Sequence, residues 1–201
     1  MREQIDEVLQ FWFGDLQDGF PVADRSALWW GGGEALDQQV EALFGPQVRR
    51  ALAGGLADWE ETPRGRLALV ILLDQFTRNI YRGSAEAFSG DEQACALVKR
   101  SLERDYDLAL EVSERLFFYM PLEHSESMAD QNLCVSKMEA LYTCVDDANR
   151  DKVVNAVNFA KEHRDVIEQF GRFPHRNQAL NRESTEKELA YLHQGQKGWG
   201  Q

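Results

Sequence analysis

LALVILLDQFTRNIYR, at positions 67–82, is the stretch that decides the fold class of this chain. Residues 67–73 are apolar on nearly every side, so this run taken alone fits either a buried strand or a buried helix. The segment continues through Asp74, Gln75 and Phe76 without a helix-breaking residue, and the chain offers no other strands with which a parallel sheet could form. We therefore predict a buried central helix over residues 66–82.

On both sides of this segment, apolar residues recur at helical spacing, and no credible pair of alternating strands is present. An irregular connection anchored by aromatic rings is predicted for residues 14–33. Pro46 is predicted to separate two elements of the next segment, and the second is predicted to end near Trp59. The predicted helices are 4–13, a segment from 34, a shorter segment past 46, 66–82, 91–104, 114–119, 127–145, 149–170 and 185–192.

Several predicted helices carry their own boundary signals. Asn149 fits a helix N-cap, Gly171 a C-cap, and Thr185 with Glu188 a capping box. We expect a frayed tail from about residue 195. With 201 residues and 43% hydrophobic content, the chain is long enough for one sizeable core. We predict an all-α fold of antiparallel helix pairs, forming a single compact domain over residues 1–201, although no 34-residue repeat consensus is found.

The composition excludes several classes of protein. A net charge of −12 argues against sequence-independent nucleic-acid binding, which needs surface Lys and Arg to neutralise phosphates. The first seven residues are charged and lack the apolar core of a signal peptide, and the longest apolar run is too short for a bilayer. Three cysteines without a C-x-x-C pair support neither a disulfide framework nor a zinc knuckle. We expect a cytoplasmic protein that binds neither membrane nor nucleic acid.

On the central helix, Asp74, Arg78 and Arg82 are spaced i, i+4, i+8 and are expected to line one face. Gln75 and Asn79 form a neighbouring polar row. A carboxylate that follows seven apolar residues is costly to bury unless it is paired, so we expect an Asp74–Arg78 pair. Two interpretations stay open: an internal salt bridge that locks neighbouring helices, or charged side chains positioned at a ligand.

The segment HSE at 124–126 lies between Pro121 and the next predicted helix, where side chains near a helix N-terminus can face a cavity. We name His124 and Glu126 as candidate catalytic residues, although the neighbouring serines would also serve as helix caps. The H-x-E pattern is shared with zinc deaminases, but the P-C-x-x-C that they need is absent. His163 lies on an apolar helical stripe and is interpreted as a core histidine.

A local basic island follows Gly171. No acidic residue occurs between Glu168 and Glu183 in a chain with 34 Asp and Glu. Arginine binds carboxylate or phosphate in two contacts, so the island suits a small anion. The alternative is that its arginines satisfy helix-end carbonyls and pair with Asp74 or Glu126. The ligand-binding candidates are Asp74, Arg78, Asn79, Arg82, Arg172, His175, Arg176, Asn177 and Arg182.

Four ordered blocks resemble a known bacterial family, the one catalogued as domain of unknown function 924. They are VLQFWFG (8–14), LALVILLDQFTRNIYRG (67–83), MPLEHSE (120–126), and FGRFPHRN (170–177) with NREST (181–185). The resemblance covers nearly the whole chain and implies a tetratricopeptide-like all-helical fold, but no activity. Two positions depart from the family pattern: Trp29-Trp30 replaces Trp-Phe, and Asn181 replaces a glycine. Asn tolerates the left-handed conformation better than most residues.

Three classes of function follow from these residues. The first, and the preferred one, is binding or turnover of a small anionic metabolite held by the arginines, with proton transfer by His124 or Glu126. The second is a helical protein-interaction scaffold without catalysis. The third is a metal-dependent hydrolase, although His124, Glu126, His163 and His175 have no diagnostic metal-ligand spacing. No cofactor and no metal site is predicted.

Overall fold

The central segment of the computed structural model is a helix, as its sequence predicts. The helix begins at Pro63 rather than at residue 66, because Thr62 accepts a hydrogen bond from the Gly65 N–H at 3.1 Å and Pro63 takes the first helical position. It runs as helix α3 (Pro63–Val70), a π-helical segment (Ile71–Phe76) and helix α4 (Thr77–Ile80). The structure describes residues 2–194.

The chain divides into two compact units, Met1–Arg82 with Glu86–Pro121, and Gly83–Ala85 with Leu122–Gln201. Besides the central helix, unit 1 contains a two-stranded hairpin, short π or 3₁₀ segments, and the other helices of the first half of the chain. They are α1 (Arg2–Phe13), β1 (Leu16–Gln17), β2 (Phe20–Pro21), Ala27–Gly31, α2 (Glu34–Leu52), Ala57–Glu61, Ala85–Phe88, α5 (Asp91–Leu102), Tyr106–Ala109 and α6 (Val112–Glu123). The segment Ala85–Phe88 and helix α6 cross the unit boundary.

Aromatic rings fill the core of unit 1. Trp12 lies edge-on to Phe76 and Phe117, with ring centroids 5.5 and 5.4 Å apart. The predicted anchoring of the 14–33 connection is confirmed, because the Trp29 indole N–H donates to the Trp12 carbonyl at 3.0 Å and its ring lies 4.7 Å from Phe117. Aromatic packing therefore holds the irregular connection against α1.

Unit 2 consists of α7 (Met128–Cys144), α8 (Arg150–Phe170), a 3₁₀ turn (Pro174–Arg176) and α9 (Glu186–His193). Helices α7 and α8 pack against each other and are joined by only five residues, so they form an antiparallel helical hairpin. Their facing sides bury apolar residues such as Met138, Leu141, Val157 and Ile167. This hairpin positions the segments that the sequence singles out.

Three expectations about boundaries were wrong. The 14–33 connection contains an antiparallel hairpin that pairs Leu16 with Pro21. Pro46 does not interrupt α2, since Phe44 and Val48 are buried on either side of it and hold one continuous helix. Helix α6 is longer than residues 114–119 and includes Pro121, so the connection that carries the HSE segment begins only after Glu123.

The predicted caps are mostly confirmed. Gly171 ends α8 with φ 71°, and the side chains of Thr185 and Glu188 form the capping box of α9. Asn149 occupies the N-cap position of α8, but its amide donates to Asp146 at 2.9 Å instead of capping the helix. Asn181 adopts a left-handed backbone with φ 52°. Asparagine tolerates this conformation better than most residues.

The all-α fold class is confirmed, with the short hairpin as the only sheet within residues 2–194. Within the same residues, no helix combines the length and the apolar character needed to cross a bilayer. The predicted frayed tail from residue 195 lies outside the described residues. The organisation as a single domain over residues 1–201 stays a prediction.

Candidate functional site

Glu126, a predicted catalytic residue, forms an ion pair with Arg182 inside unit 2. The guanidinium donates to both carboxylate oxygens at 2.8 and 3.0 Å, and the Phe173 N–H donates to the same carboxylate at 2.8 Å. Burial raises the pKa of Glu126, but the hydrogen bonds from Arg182 and Phe173 outweigh it, so the pKa lies below its ordinary value. Glu126 is therefore an ionised acceptor that is already engaged.

Arg182 also ties together the loop around it. Its Nη2 donates to the Phe173 carbonyl and its Nε to the Asn177 side-chain oxygen, both at 3.0 Å. The Asn177 amide in turn donates to the Ser184 hydroxyl at 3.0 Å, and Asn177 is almost wholly buried. The predicted ligand-binding pair Arg182 and Asn177 thus closes the loop between the 3₁₀ turn and α9.

Arg172 forms a second two-contact pair. It donates to the Glu188 carboxylate at 2.6 and 2.8 Å and to the Glu183 carbonyl at 2.7 Å. The same carboxylate accepts from the Thr185 N–H at 2.7 Å as part of the capping box. The hydrogen bond from Arg172, assisted by Thr185, lowers the pKa of Glu188 to about 2. Arg172 therefore joins the C-terminal end of α8 to the start of α9.

Two histidines and Arg176 lie against the buried ring of Phe173, and His124 adjoins His163 and Arg176. The Arg176 guanidinium lies 4.6 Å from the ring centroid and donates to the His124 carbonyl at 3.0 Å. The rings of His163 and His175 each lie 5.6 Å from Phe173, and those of His124 and His163 are 6.2 Å apart. We call His124, His163, His175 and Arg176 the histidine cluster.

His163 carries two competing contacts. Its Nδ1 lies 2.8 Å from the Phe159 carbonyl and 3.3 Å from the Glu123 carboxylate. Burial lowers the pKa of His163 to about 3, helped by the charges of His124 and Arg176. At neutral pH the ring is therefore uncharged, and Nδ1 carries the proton that the Phe159 carbonyl accepts. This state fits the core histidine that the apolar stripe predicts.

The buried Gln131 of α7 binds the main chain of the HSE connection. Its amide nitrogen donates to the Glu123 carbonyl at 2.6 Å and to the Ser125 carbonyl at 2.7 Å. Ser125 donates to Asp130 at 2.8 Å, so neither this serine nor Ser127 caps α7 through its hydroxyl. The conformation of the HSE segment thus depends on Asp130 and Gln131 of α7, which lie outside the motif and which the sequence analysis did not single out.

The remaining candidates form a separate group in unit 1. Asp74 and Arg78 lie 3.1 Å apart, which confirms the predicted pair, and Arg78 also contacts both Asp91 oxygens at 2.8 and 3.0 Å. Arg82 lies beyond the end of α4 and binds Asp37 at 2.7 and 3.0 Å. Asn79 donates to the same Asp37 at 2.9 Å, so these partners link the central helix to α2 and α5.

The partners that sequence reasoning missed are acidic residues on other helices. They are Asp37 on α2, Asp91 on α5, Glu123 on α6 and Glu188 on α9. Only Glu188 carried a signal, because its place in a capping box puts it near the end of α8. Among residues 2–194, no group of three or more His, Cys, Asp or Glu side chains is placed to hold a metal ion.

Comparison with known proteins decides the family. The model of a family described as bacterial protein of unknown function, DUF924, matches residues 8–196. The chain belongs to the DUF924 family. A solved structure, the protein of unknown function ATU0120 from Agrobacterium tumefaciens, is 32% identical to this chain, the match covers 96% of this chain and 99% of that one, and the two superpose with a TM-score of 0.79. No curated protein matches.

The DUF924 match includes all four sequence blocks but assigns no activity to them. The family and the solved relative are both described as being of unknown function. In the two blocks that contain arginines, 67–83 and 170–177 with 181–185, the arginine side chains bind carboxylates and main-chain carbonyls of the same unit, and one of these carboxylates is Glu126 of a third block. The catalytic roles of His124 and Glu126 and the ligand-binding roles of the arginines stay predictions.

Proposed function

We propose that this DUF924 chain is a helical protein-interaction module, in which the charged residues of its sequence blocks lock the fold rather than bind a metabolite. One observation carries the proposal. Of the five arginines predicted to bind an anion, four bind a carboxylate of their own unit in two contacts, namely Arg78, Arg82, Arg172 and Arg182. The fifth, Arg176, donates to the His124 carbonyl. An incoming anion would have to displace these carboxylates and leave them, buried or partly buried, without their counter-ion.

The architecture supports an interaction role by analogy. We propose that the helices within each unit are paired in the tetratricopeptide manner, as the family resemblance implies. Folds built from helical hairpins present extended surfaces that suit protein partners. Apolar side chains left on the surface of each unit, including Trp30, Leu43, Leu108 and Leu189, supply contact area for such partners.

In-cell photo-crosslinking tests the interaction role. A photoreactive amino acid is placed, one position at a time, at Trp30, Leu43, Leu108 and Leu189, and at the exposed polar Glu103 as a control. We expect discrete adducts larger than the chain from at least one apolar position and none from Glu103. If no apolar position yields an adduct, the chain has no stable protein partner at these surfaces and the proposal fails.

A second candidate function is binding of a small anion at the histidine cluster. It is favoured by the gathering of His124, His163, His175 and Arg176 near Phe173 in a chain that is otherwise acidic. An anion site predicts that phosphate or a carboxylate metabolite raises the melting temperature of the wild-type chain but not of Arg176→Ala. Stabilisation of this kind would replace the interaction module with the anion-binding function.

A further inference from the structure

An open groove runs along one side of unit 1, between α1 and α2. Its volume is about 1130 Å³, and its lining includes Phe11, Leu43 and Phe44, together with Arg64 of α3. This volume exceeds the range of about 300–1,000 Å³ that is typical of small-molecule sites. Helix α1 has 12 residues and is therefore roughly 18 Å long, which matches three turns of a bound helix.

The floor of the groove is rigid and apolar. The ring of Phe11 lies edge-on to Phe44 at 5.0 Å and to Phe76 at 5.8 Å, and Phe44 stacks on Phe76 at 4.9 Å. Leu43 lies beside these rings with 50% of its surface exposed, so an apolar side chain at the groove is left to solvent. A preformed apolar floor suits the apolar face of an amphipathic helix.

The α1 edge of the groove is acidic. Glu3, Asp6, Glu7 and Gln10 recur at helical spacing along it, and Asp6 lies 3.6 Å from Arg64. Within residues 2–194, no ion pair involves the exposed Glu3 or Glu7. Arg2 offsets part of this charge. Unit 1 as a whole has 21 Asp and Glu against 12 Lys and Arg, which gives −9 of the total of −12.

We propose that the α1–α2 groove docks a basic amphipathic helix of a partner protein. The apolar face of this helix lies on Phe11 and Leu43, and its Lys or Arg side chains lie beside Glu3 and Glu7. The inference rests on the proposed interaction function and names the chemistry of the partner. A second copy of this chain is a poor occupant, because two units of charge −9 repel each other.

A peptide titration tests the groove. The probe is a fluorescein-labelled 18-residue peptide of Leu and Lys, with Leu at i, i+3, i+4 and i+7. Its controls are a shuffled peptide of the same composition and a peptide with Glu in place of Lys. Fluorescence anisotropy with the full chain is expected to show micromolar binding of the first peptide, weakened by added salt, and at least tenfold weaker binding of both controls.

Matched variants locate the binding. Leu43→Asp and the double variant Glu3→Lys, Glu7→Lys are each expected to weaken binding at least tenfold. The controls are Leu108→Asp, which alters a leucine 62% exposed on unit 1 outside the groove, and the charge-matched double variant Glu103→Lys, Glu111→Lys. Both controls are expected to bind within twofold of wild type. All variants alter exposed residues, and circular dichroism verifies their folding.

The following results would overturn the inference. The first is equal affinity for the ordered and the shuffled peptide, and the second is unchanged binding by Leu43→Asp. The third is a dimer of the wild-type chain that Leu43→Asp converts to a monomer, since a second copy would then occupy the groove. Crosslinked adducts at Leu108 or Leu189 without one at Leu43 would also refute the groove while the interaction function stands, whereas no adduct at any position refutes both.

Discussion

Replacing Glu126 by Gln removes the carboxylate that Arg182 and the Phe173 N–H share. The side chains of Glu126 and Arg182 are 30% and 22% exposed, so the pair is only partly screened by water. Gln keeps one acceptor oxygen but loses the charge and the second oxygen, and it leaves a half-buried guanidinium without its counter-ion. Hydrogen bonds to charged groups contribute about 1.5–3 kcal/mol each, so we expect Glu126→Gln to lower the unfolding free energy by about 2–3 kcal/mol.

Urea unfolding followed by circular dichroism measures this loss, and a thermal melt should show a drop of roughly 5–10 °C. The matched control is Glu139→Gln, whose partner Lys161 forms an exposed ion pair in the same unit. That pair is worth less than about 1 kcal/mol. The difference between wild type and Glu126→Gln should narrow below pH 4.5, because the folded-state pKa of Glu126 is lowered and its stabilisation is lost as the pH falls. Equal losses for Glu126→Gln and Glu139→Gln would refute the structural role.

Three further outcomes are expected. Because burial lowers the pKa of His163 to about 3, the unfolded chain takes up a proton at this residue between pH 7 and pH 5 and the folded chain does not, so the unfolding free energy of wild type should fall by about 2 kcal/mol relative to His163→Gln. A rise on acidification, measured by urea unfolding, would mean that the nearby Glu123 carboxylate stabilises the protonated ring. Thr185→Ala should cost about 1 kcal/mol in a thermal melt by removing the cap of α9, and no change would discount the capping box. Gly90→Ala should lower the unfolding free energy by more than about 2 kcal/mol, because the added Cβ would lie 2.2 Å from the Leu73 carbonyl oxygen. Gly31→Ala is the control, since its Cβ would meet no atom closer than 3.9 Å. Equal urea midpoints for the two variants would contradict this packing.

The fold was predictable where local signals act alone. The central segment is a helix because its uninterrupted apolar run would need a buried parallel sheet to pair as a strand, and residues 2–194 contain only the short β1–β2 hairpin. The π-helical winding over Ile71–Phe76 was not predictable. A π-helical turn takes more residues than an α-helical turn, and a helix that is buried on all sides has no apolar periodicity in which this difference would show. Pro46 and Pro121 led to wrong predicted helix boundaries. Burial of the neighbouring side chains keeps both helices continuous, although proline has no N–H to donate.

The candidate site was predictable in part, and the local pair Asp74–Arg78 was predicted on both sides. The basic island and the HSE segment were visible in the sequence, and Glu126 was named as a potential partner of the arginines. Its partner is Arg182 of that island, 56 residues away, which fits this interpretation. Asp37, the partner of Arg82 45 residues away, carried no signal, because helix packing brings the two together and single-sequence patterns do not encode it.

The central claim is that the charged side chains of unit 2 bind one another and stabilise the fold, and do not bind an anion. The most direct measurement is the melting temperature of the wild-type chain in inorganic phosphate, compared with sodium chloride of equal ionic strength and with Arg176→Ala in both. We predict that phosphate and chloride agree within 1 °C for both proteins. A ligand at 100 times its dissociation constant adds about 2.7 kcal/mol, or roughly 5–10 °C. A rise of that size in wild type, absent from Arg176→Ala, would contradict the claim.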